Sequence, residues 1–231
     1  MRARRPARAP SRRRRGAGCA AAPEAHAWEV LRGGGLTTAA LERLTGQPIH
    51  AVVRRHHRQP APGLGDADDG YTGLGGADDA ADAAVLDLAA GDDLLVREVL
   101  LAGADGVAYG AARLLAAAGR VPPHLARRLA TTDEPIGRLL AAAGIAVSRE
   151  LRDWGLRRAG TRAAYLAGAP VADARVPART YLMRLTATGA PLALITEWFA
   201  PAVFAAAPRP RPAGARLRRR GTAADTPAGA R

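Results

Sequence analysis

Two pairs of apolar segments, each joined by a short turn, constrain the fold of this chain more than any other feature. In the first pair, residues 93–103 and 107–115 flank Ala-Asp-Gly, a sequence that favours a hairpin turn. In the second pair, residues 179–185 and 191–199 flank Thr-Gly-Ala. Because a short turn joins neighbouring antiparallel strands, the sequence predicts an antiparallel sheet that contains both hairpins.

Shorter elements are predicted between these hairpins and before them. We expect a helix over 37–44 capped by a Thr, a strand over 49–55, helices over 121–129 and from about 133 to 144, and a strand over 145–153. Strands that follow one another, with two short helices in the centre, favour an α+β fold over a βαβ array. The predicted architecture is an antiparallel β-sheet covered by short helices.

The basic charge of the chain is concentrated in its two terminal segments. The net charge is +13 and arises from Arg alone, with eight Arg in residues 1–15 and seven in residues 208–231. Segments of Arg, Pro, Ala and Gly cannot bury enough apolar surface to offset their chain entropy. We therefore expect disordered tails over 1–28 and 206–231, and one folded domain over 29–205.

The sequence contains little that indicates a nucleic-acid, metal or membrane partner. The tails could attract nucleic acid non-specifically, but no helix-turn-helix or zinc-finger pattern accompanies them. Cys19 is the single cysteine, and no His/Cys spacing suggests a metal site. No apolar stretch is long enough to span a membrane. We expect a cytoplasmic protein without metal or cofactor, and its oligomeric state stays open.

Residues 59–92 are rich in Gly, Asp and Pro and predict a variable loop, with room for a short helix over 80–90. The Asp residues before Gly70 lack the spacing and the closing Glu of a calcium-binding EF-hand. The neighbouring His56 and His57 are predicted to be surface residues rather than ligands.

Two charged residues lie on apolar strand faces. Alternation places Arg97 on one face with Leu95 and Val99, and Glu197 on one face with Phe199. A bare charge on a buried face costs several kcal/mol, so each must meet a partner or a ligand. Either Arg97 forms an internal salt bridge with Glu197 or with another acid, or Arg97 binds a small anion in an apolar pocket that has Glu197 at its other end.

Four segments resemble, in order and spacing, the chorismate pyruvate-lyase family over residues 30–205. They are Gly-Leu-Thr at 35–37 before the Pro-Ile strand at 48–49, Val-Arg-Glu-Val-Leu-Leu at 96–101, Asp-Glu-Pro-Ile-Gly-Arg-Leu-Leu at 133–140, and the hairpin from Arg-Thr-Tyr at 179–181 to Ile-Thr-Glu-Trp-Phe-Ala-Pro at 195–201. The Arg-Glu strand and the Thr-Glu-aromatic-Phe hairpin in one chain carry most of this resemblance.

The resemblance implies an enzyme that converts chorismate to 4-hydroxybenzoate and pyruvate without a cofactor. It assigns catalytic roles to Glu197 and Arg97, with Arg97 binding the ring carboxylate and Glu197 the hydroxyl. Backbone amides at or beside Leu36 and Ile136 would help to hold the carboxylate. Residue 136 is Ile where the ubiquinone-type enzymes usually have Leu, and residues 59–93 cannot be aligned. The second carboxylate of chorismate would need another cation, for which Arg138, Arg149 and Arg179 are candidates.

The same pattern of sheet and helices resembles the UTRA effector-sensing domains of bacterial transcription regulators. This second resemblance implies a small-molecule sensor rather than an enzyme. Such domains normally follow a winged helix, which residues 1–30 are not expected to form. A third alternative is a protein that binds a hydroxybenzoate without converting it.

Overall fold

A computed structural model describes residues 21–33, 35–62, 78–166, 168 and 175–205 of the chain. Six strands are found there: β1 (Ile49–Pro60), β2 (Asp93–Gly103), β3 (Ala108–Ala117), β4 (Val147–Arg158), β5 (Arg175–Leu185) and β6 (Pro191–Phe199). The α-helices are α1 (Ala21–Arg32), α2 (Thr37–Thr45), α3 (Asp78–Val85), α4 (Pro123–Thr131), α5 (Ile136–Ala142) and α6 (Pro201–Ala205). Short 3-10 helices cover Ala118–Arg120 and Gly160–Ala164.

The strands form one sheet in the order β1-β2-β3-β6-β5-β4, and every neighbouring pair is antiparallel. The two predicted hairpins, β2–β3 and β5–β6, lie side by side because β3 pairs with β6. This confirms the predicted α+β fold with its antiparallel sheet and short helices.

Helices cover both faces of the sheet. The front face, defined by Leu95, Arg97 and Val99 of β2, packs through Leu95 against Leu125 of α4 and Leu139 of α5. The rear face, defined by Leu94, Val96 and Glu98, packs through Leu94 and Val96 against Ala83 of α3 and the adjoining Leu86. Burial of these side chains is worth roughly 1.5–3 kcal/mol for each large one, and it fixes which face each strand residue occupies.

A third apolar cluster joins α1, α2 and α6 to one end of the sheet. Leu31 of α1, Leu41 of α2 and Phe204 of α6 pack in it with Leu101 and Phe199. Helix α1 begins at Ala21, within the segment that was predicted to be disordered. That boundary was too late, because Ala27 and Leu31 of α1 are fully buried. Residues 1–20 and 206–231, where the rest of the predicted tails lies, are outside the described residues.

Several other boundaries differ from the prediction. β1 continues to Pro60 and so enters the predicted loop, and α3 occupies Asp78–Val85 within it. Residues 63–77 of that loop lie outside the described part of the chain. The predicted Thr cap of α2 is wrong, because the N-cap residue is Leu36, whose side chain cannot accept a hydrogen bond, and Thr37 is already helical. None of the described helices is both long enough and apolar enough to cross a membrane.

Candidate functional site

A cavity with about 560 Å³ of empty space lies between the front face of the sheet and the starts of α2 and α5. Strands β2, β3 and β6 form its floor because their front-face side chains point toward these helices. Most of the lining is apolar, with polar groups at its two ends. The lining residues are Leu36, Thr37, Thr38, Arg97, Val99, Leu101, Ala112, Leu114, Pro135, Ile136, Gly137, Arg149, Tyr181, Ile195 and Glu197.

At one end of this front cavity, Glu197 lies in a closed network of hydrogen bonds. The Arg179 Nε–H donates to Glu197 Oε2 at 2.7 Å. The hydroxyls of Thr37 and Tyr181 donate to Glu197 Oε1 at 2.6 and 3.1 Å. Thr37 in turn accepts a hydrogen bond from Arg179 at 2.8 Å. The carboxylate is 3% exposed, so these donors replace the water that it loses on burial.

The ionisation of the neighbouring groups reflects this network. Burial, the largest single influence, opposes the charged form of Arg179, but the charge of Glu197, the neighbouring Tyr181 and the hydrogen bond to Glu197 together raise the Arg179 pKa above its ordinary value. Burial, followed by the charge of Glu197, also raises the pKa of Tyr181. Tyr181 therefore stays a neutral hydroxyl donor, and Arg179 stays a cation whose charge Glu197 balances. A second cation of the lining, Arg149, has its guanidinium 5.4 Å from the centre of the Tyr181 ring.

At the other end, Arg97 is held by backbone carbonyls. Its two terminal nitrogens donate to the carbonyl oxygens of Thr132 and Glu134 at 2.7 and 3.0 Å. The buried Nε–H of Arg97 has no hydrogen-bond partner among the described residues. Burial lowers the Arg97 pKa from its ordinary value, and the charge of Asp133 acts in the opposite direction. Carbonyl dipoles, rather than a hydrogen-bonded carboxylate, face this guanidinium.

The wall between the two ends is built where α2 approaches α5. A Cβ on Gly137 would lie 2.6 Å from Leu36 Cδ2 and 3.1 Å from a terminal nitrogen of Arg149, so Gly137 permits this close approach. Arg149 donates to the Gly35 carbonyl oxygen at 2.5 Å. Ile136 is the first residue of α5, where backbone N–H groups have no partner inside the helix.

The structure brings Arg97, Glu197, Leu36 and Ile136 to this one cavity. The alternative of an Arg97–Glu197 salt bridge is wrong in its pairing, because the partner of Glu197 is Arg179. The Arg179–Glu197 pair was not predicted from the sequence, although the hairpin register of β5 and β6 places the two residues opposite each other. The described residues contain no group of three or more His, Cys, Asp or Glu that could hold a metal ion.

No protein-family model matches the sequence, and no curated protein matches it. Among solved structures, the chain is similar to PhnF from Mycobacterium smegmatis, with 19% identity, a TM-score of 0.51, and coverage of 74% of this chain and 66% of that chain. It is also similar to the effector domain of that protein, with 18% identity, a TM-score of 0.50, and coverage of 74% and 91%. A GntR-family transcriptional regulator from Bacillus cereus gives 12% identity, a TM-score of 0.46, and coverage of 67% and 92%.

These similarities show that the chain has the fold of the effector domain of PhnF. The prediction that the chain is a carbon–oxygen lyase is wrong, because the similar structures are PhnF and the effector domain of PhnF rather than lyases. The catalytic roles assigned to Glu197 and Arg97 are withdrawn with it. The Glu197 carboxylate also accepts three hydrogen bonds from side chains of the protein, so it is already hydrogen-bonded without a ligand.

Proposed function

We propose that this chain is a small-molecule sensor domain that binds an organic carboxylate in the front cavity. The observation that carries the proposal is the state of Arg97, a cation that is 3% exposed and held by two carbonyl oxygens beside a largely apolar cavity. A buried guanidinium without a hydrogen-bonded carboxylate is costly to maintain. A ligand carboxylate supplies a hydrogen-bonded anion through a planar, charge-assisted contact worth roughly 1.5–3 kcal/mol.

The remaining groups define the other features of the ligand. The apolar side chains of Val99, Leu114 and Ile195 suit a flat or compact hydrocarbon body. The Glu197 network suits a hydroxyl group, since a hydroxyl can both accept a hydrogen bond and donate one. Leu36 and Ile136 close the side of the cavity, and their backbone amides are the proposed additional contacts to the carboxylate.

Arg97 also offers a way in which binding could be sensed. It holds the segment between α4 and α5 through the carbonyls of Thr132 and Glu134. A carboxylate that takes the same N–H donors competes with these two carbonyls. The segment between α4 and α5 is then held differently when the cavity is occupied and when it is empty. A ligand can shift a conformational equilibrium only if it binds the two conformations with different free energies.

Calorimetric titration tests the binding with two probes of matched shape. 4-Hydroxybenzoate has a carboxylate at one end and a hydroxyl at the other, whereas 4-hydroxybenzyl alcohol lacks the charge. We expect 4-hydroxybenzoate to bind at least about tenfold more tightly, the effect of one charge-assisted contact. Equal affinities, or no binding of either probe, would contradict the proposal.

Hydrogen exchange tests the sensing step separately. The amides of residues 132–134 should change their protection when 4-hydroxybenzoate is added, while those of the β5–β6 hairpin should not. Arg127→Gln, on the exposed side of α4, is the matched control and should leave both the affinity and the exchange unchanged. Binding without any change in residues 132–134 would support a binding protein and contradict the sensor.

A further inference from the structure

A second cavity lies on the rear face of the sheet, behind the front cavity. It has about 660 Å³ of empty space between strands β1, β2 and β3 and the 3-10 helix Gly160–Ala164. Val99 and Ala112 line both cavities, so the two are separated by the thickness of the sheet. The rear cavity is lined by Arg54, Arg55, Glu98, Val99, Leu100, Ala111, Ala112, Thr161, Arg162 and Tyr165.

The inner wall of the rear cavity is a buried ion pair. Arg162 donates to Glu98 Oε1 at 3.0 Å, and each side chain is 10% exposed. The Arg162 guanidinium also lies 4.0 Å from the centre of the Trp198 ring. These contacts fix the position of the guanidinium, so Arg162 needs little ordering when a ligand arrives.

The outer rim carries a cation that faces a neutral group. Arg54 donates to the Tyr165 hydroxyl at 3.0 Å, and its guanidinium lies 4.6 Å from the centre of the Tyr165 ring. Among the described residues, the contacts of Arg54 are with this neutral side chain and not with a carboxylate. Arg55 also lines the cavity and makes an interaction of its own.

We propose that the rear cavity is a second binding site, for a small molecule that carries a phosphoryl or carboxylate group. The anion lies between Arg54 at the rim and Arg162 at the inner wall, and the hydroxyls of Thr161 and Tyr165 are further donors. Leu100 and Ala111 form the floor, which suits a short apolar body next to the anion. Charge supports this ligand class, because arginines outnumber the single described carboxylate, that of Glu98, in the lining.

This inference is independent of the function proposed for the front cavity. The front cavity is mostly apolar and is lined by Arg97 and Arg149, whereas the rear cavity has cations at its rim and at its inner wall. The side chains of Arg97 and Glu98 are consecutive in β2 and therefore enter opposite cavities. Variants of one cavity can thus be compared with variants of the other in the same folded chain.

The test is a calorimetric titration of the full chain with inorganic phosphate and, separately, with acetate at constant ionic strength. Chloride at about 0.15 M reduces non-specific attraction of the anions to the Arg-rich terminal segments. We expect saturable binding of at least one anion in the millimolar range. Arg54→Gln and Arg162→Gln should weaken it by about tenfold or more, since each removes a charge-assisted contact. Binding of phosphate but not of acetate would indicate a phosphoryl ligand, and binding of acetate but not of phosphate would indicate a carboxylate ligand.

Two controls distinguish this site from general charge and from the front cavity. Arg58→Gln removes an exposed cation of β1 that pairs with Asp93 outside the cavity and should leave the anion affinity unchanged. The same comparison of Arg54 with Arg54→Gln is repeated in an Arg97→Met background, in which the front cavity has lost its proposed carboxylate contact. The proposal is overturned if neither anion binds, if Arg54→Gln binds as tightly as its parent in both backgrounds, or if Arg58→Gln has the same effect as Arg54→Gln. Arg54 is exposed, so that variant decides the outcome even if Arg162→Gln fails to fold.

Discussion

Each end of the front cavity holds a buried arginine, but the two arginines have different hydrogen-bond acceptors. At one end, Arg179 meets the carboxylate of Glu197 at 2.7 Å, and Thr37 bridges the two side chains. At the other end, Arg97 meets the carbonyl oxygens of Thr132 and Glu134. Both arginines are almost completely buried, at 5% and 3% exposure. They differ in whether a carboxylate is hydrogen-bonded to the guanidinium.

This difference indicates which arginine holds the fold together and which can bind a ligand. Arg179 and Glu197 neutralise each other, so removing either one leaves a buried charge behind. Carbonyl dipoles compensate Arg97 only in part, so an incoming anion gains more at Arg97 than at Arg179. The two ends therefore predict different results when each is altered.

The largest expected effect on stability comes from removing the cation of the Arg179–Glu197 pair. Arg179→Met leaves the Glu197 carboxylate buried with two hydroxyl donors and no cation. We expect a loss of about 3–5 kcal/mol in the free energy of unfolding, measured by urea denaturation. The double variant Arg179→Met with Glu197→Leu should recover much of this loss, because it removes both charges.

The matched control for that loss is the pair Arg157–Asp153. Its partners lie at 2.6 Å in β4 but are 41% and 52% exposed. Arg157→Met should cause no measurable change, since solvent already screens an exposed pair. If Arg179→Met were as mild as Arg157→Met, the closed network would not stabilise the fold.

A smaller effect is expected from the hydroxyl that bridges the pair. Thr37→Val keeps the shape of the side chain but removes a donor to Glu197 and an acceptor for Arg179. We expect a loss of about 1–3 kcal/mol in unfolding free energy, the cost of leaving buried polar groups unsatisfied. Thr37→Ser keeps the hydroxyl, so it should retain most of the stability; equal losses in both variants would assign the effect to packing instead.

The smallest expected effect is the pH dependence at the Arg97 end. His56 lies opposite Arg97 in the β1–β2 register. Burial, and then the charges of Arg97, His57 and Arg58, lower the His56 pKa from its ordinary 6.5. The unfolded chain therefore takes up this proton at a higher pH than the folded chain does.

It follows that the contribution of neutral His56 to the free energy of unfolding is fully present above its ordinary pKa. This contribution is lost as the pH falls below that pKa. His56→Gln should remove this part of the pH dependence. The measurement is the urea midpoint of the wild type and the variant at about pH 7.5 and about pH 5.5. A wild-type midpoint that falls no more than that of the variant between these pH values would contradict the assignment.

Much of the fold could be predicted because local signals and the tertiary structure agree. The turns after β2 and β5 follow directly from Asp-Gly and Thr-Gly, and the alternation in β2 gives the correct face for Arg97. The end of β1 was missed because its last residues, such as Arg58 and Gln59, lack apolar alternation and pair with β2 through their backbone. The start of α1 was not predicted because an Ala-rich segment shows no clear helical spacing of apolar residues.

The residues of the candidate site could be predicted from the sequence, but their ion-pair partners could not. Charge on an apolar strand face identified Arg97 and Glu197, since burial of a charge is costly wherever it occurs. Which arginine meets Glu197 depends on the register between β5 and β6 and on where α2 packs. A Thr at the start of α2 was predicted to cap the helix, but the packing of α2 on the sheet brings the Thr37 hydroxyl to Glu197 instead.

The central claim is that Arg97 binds the carboxylate of a ligand in the front cavity. A double-mutant cycle between protein and ligand tests it most directly, with the affinities of wild type and Arg97→Met measured for 4-hydroxybenzoate and for 4-hydroxybenzyl alcohol. Changes in folding or cavity shape affect both ligands and cancel in the cycle. We predict a coupling energy of about 1.5–3 kcal/mol between the guanidinium and the carboxylate. A coupling energy of zero, with wild type binding both ligands, would contradict the claim.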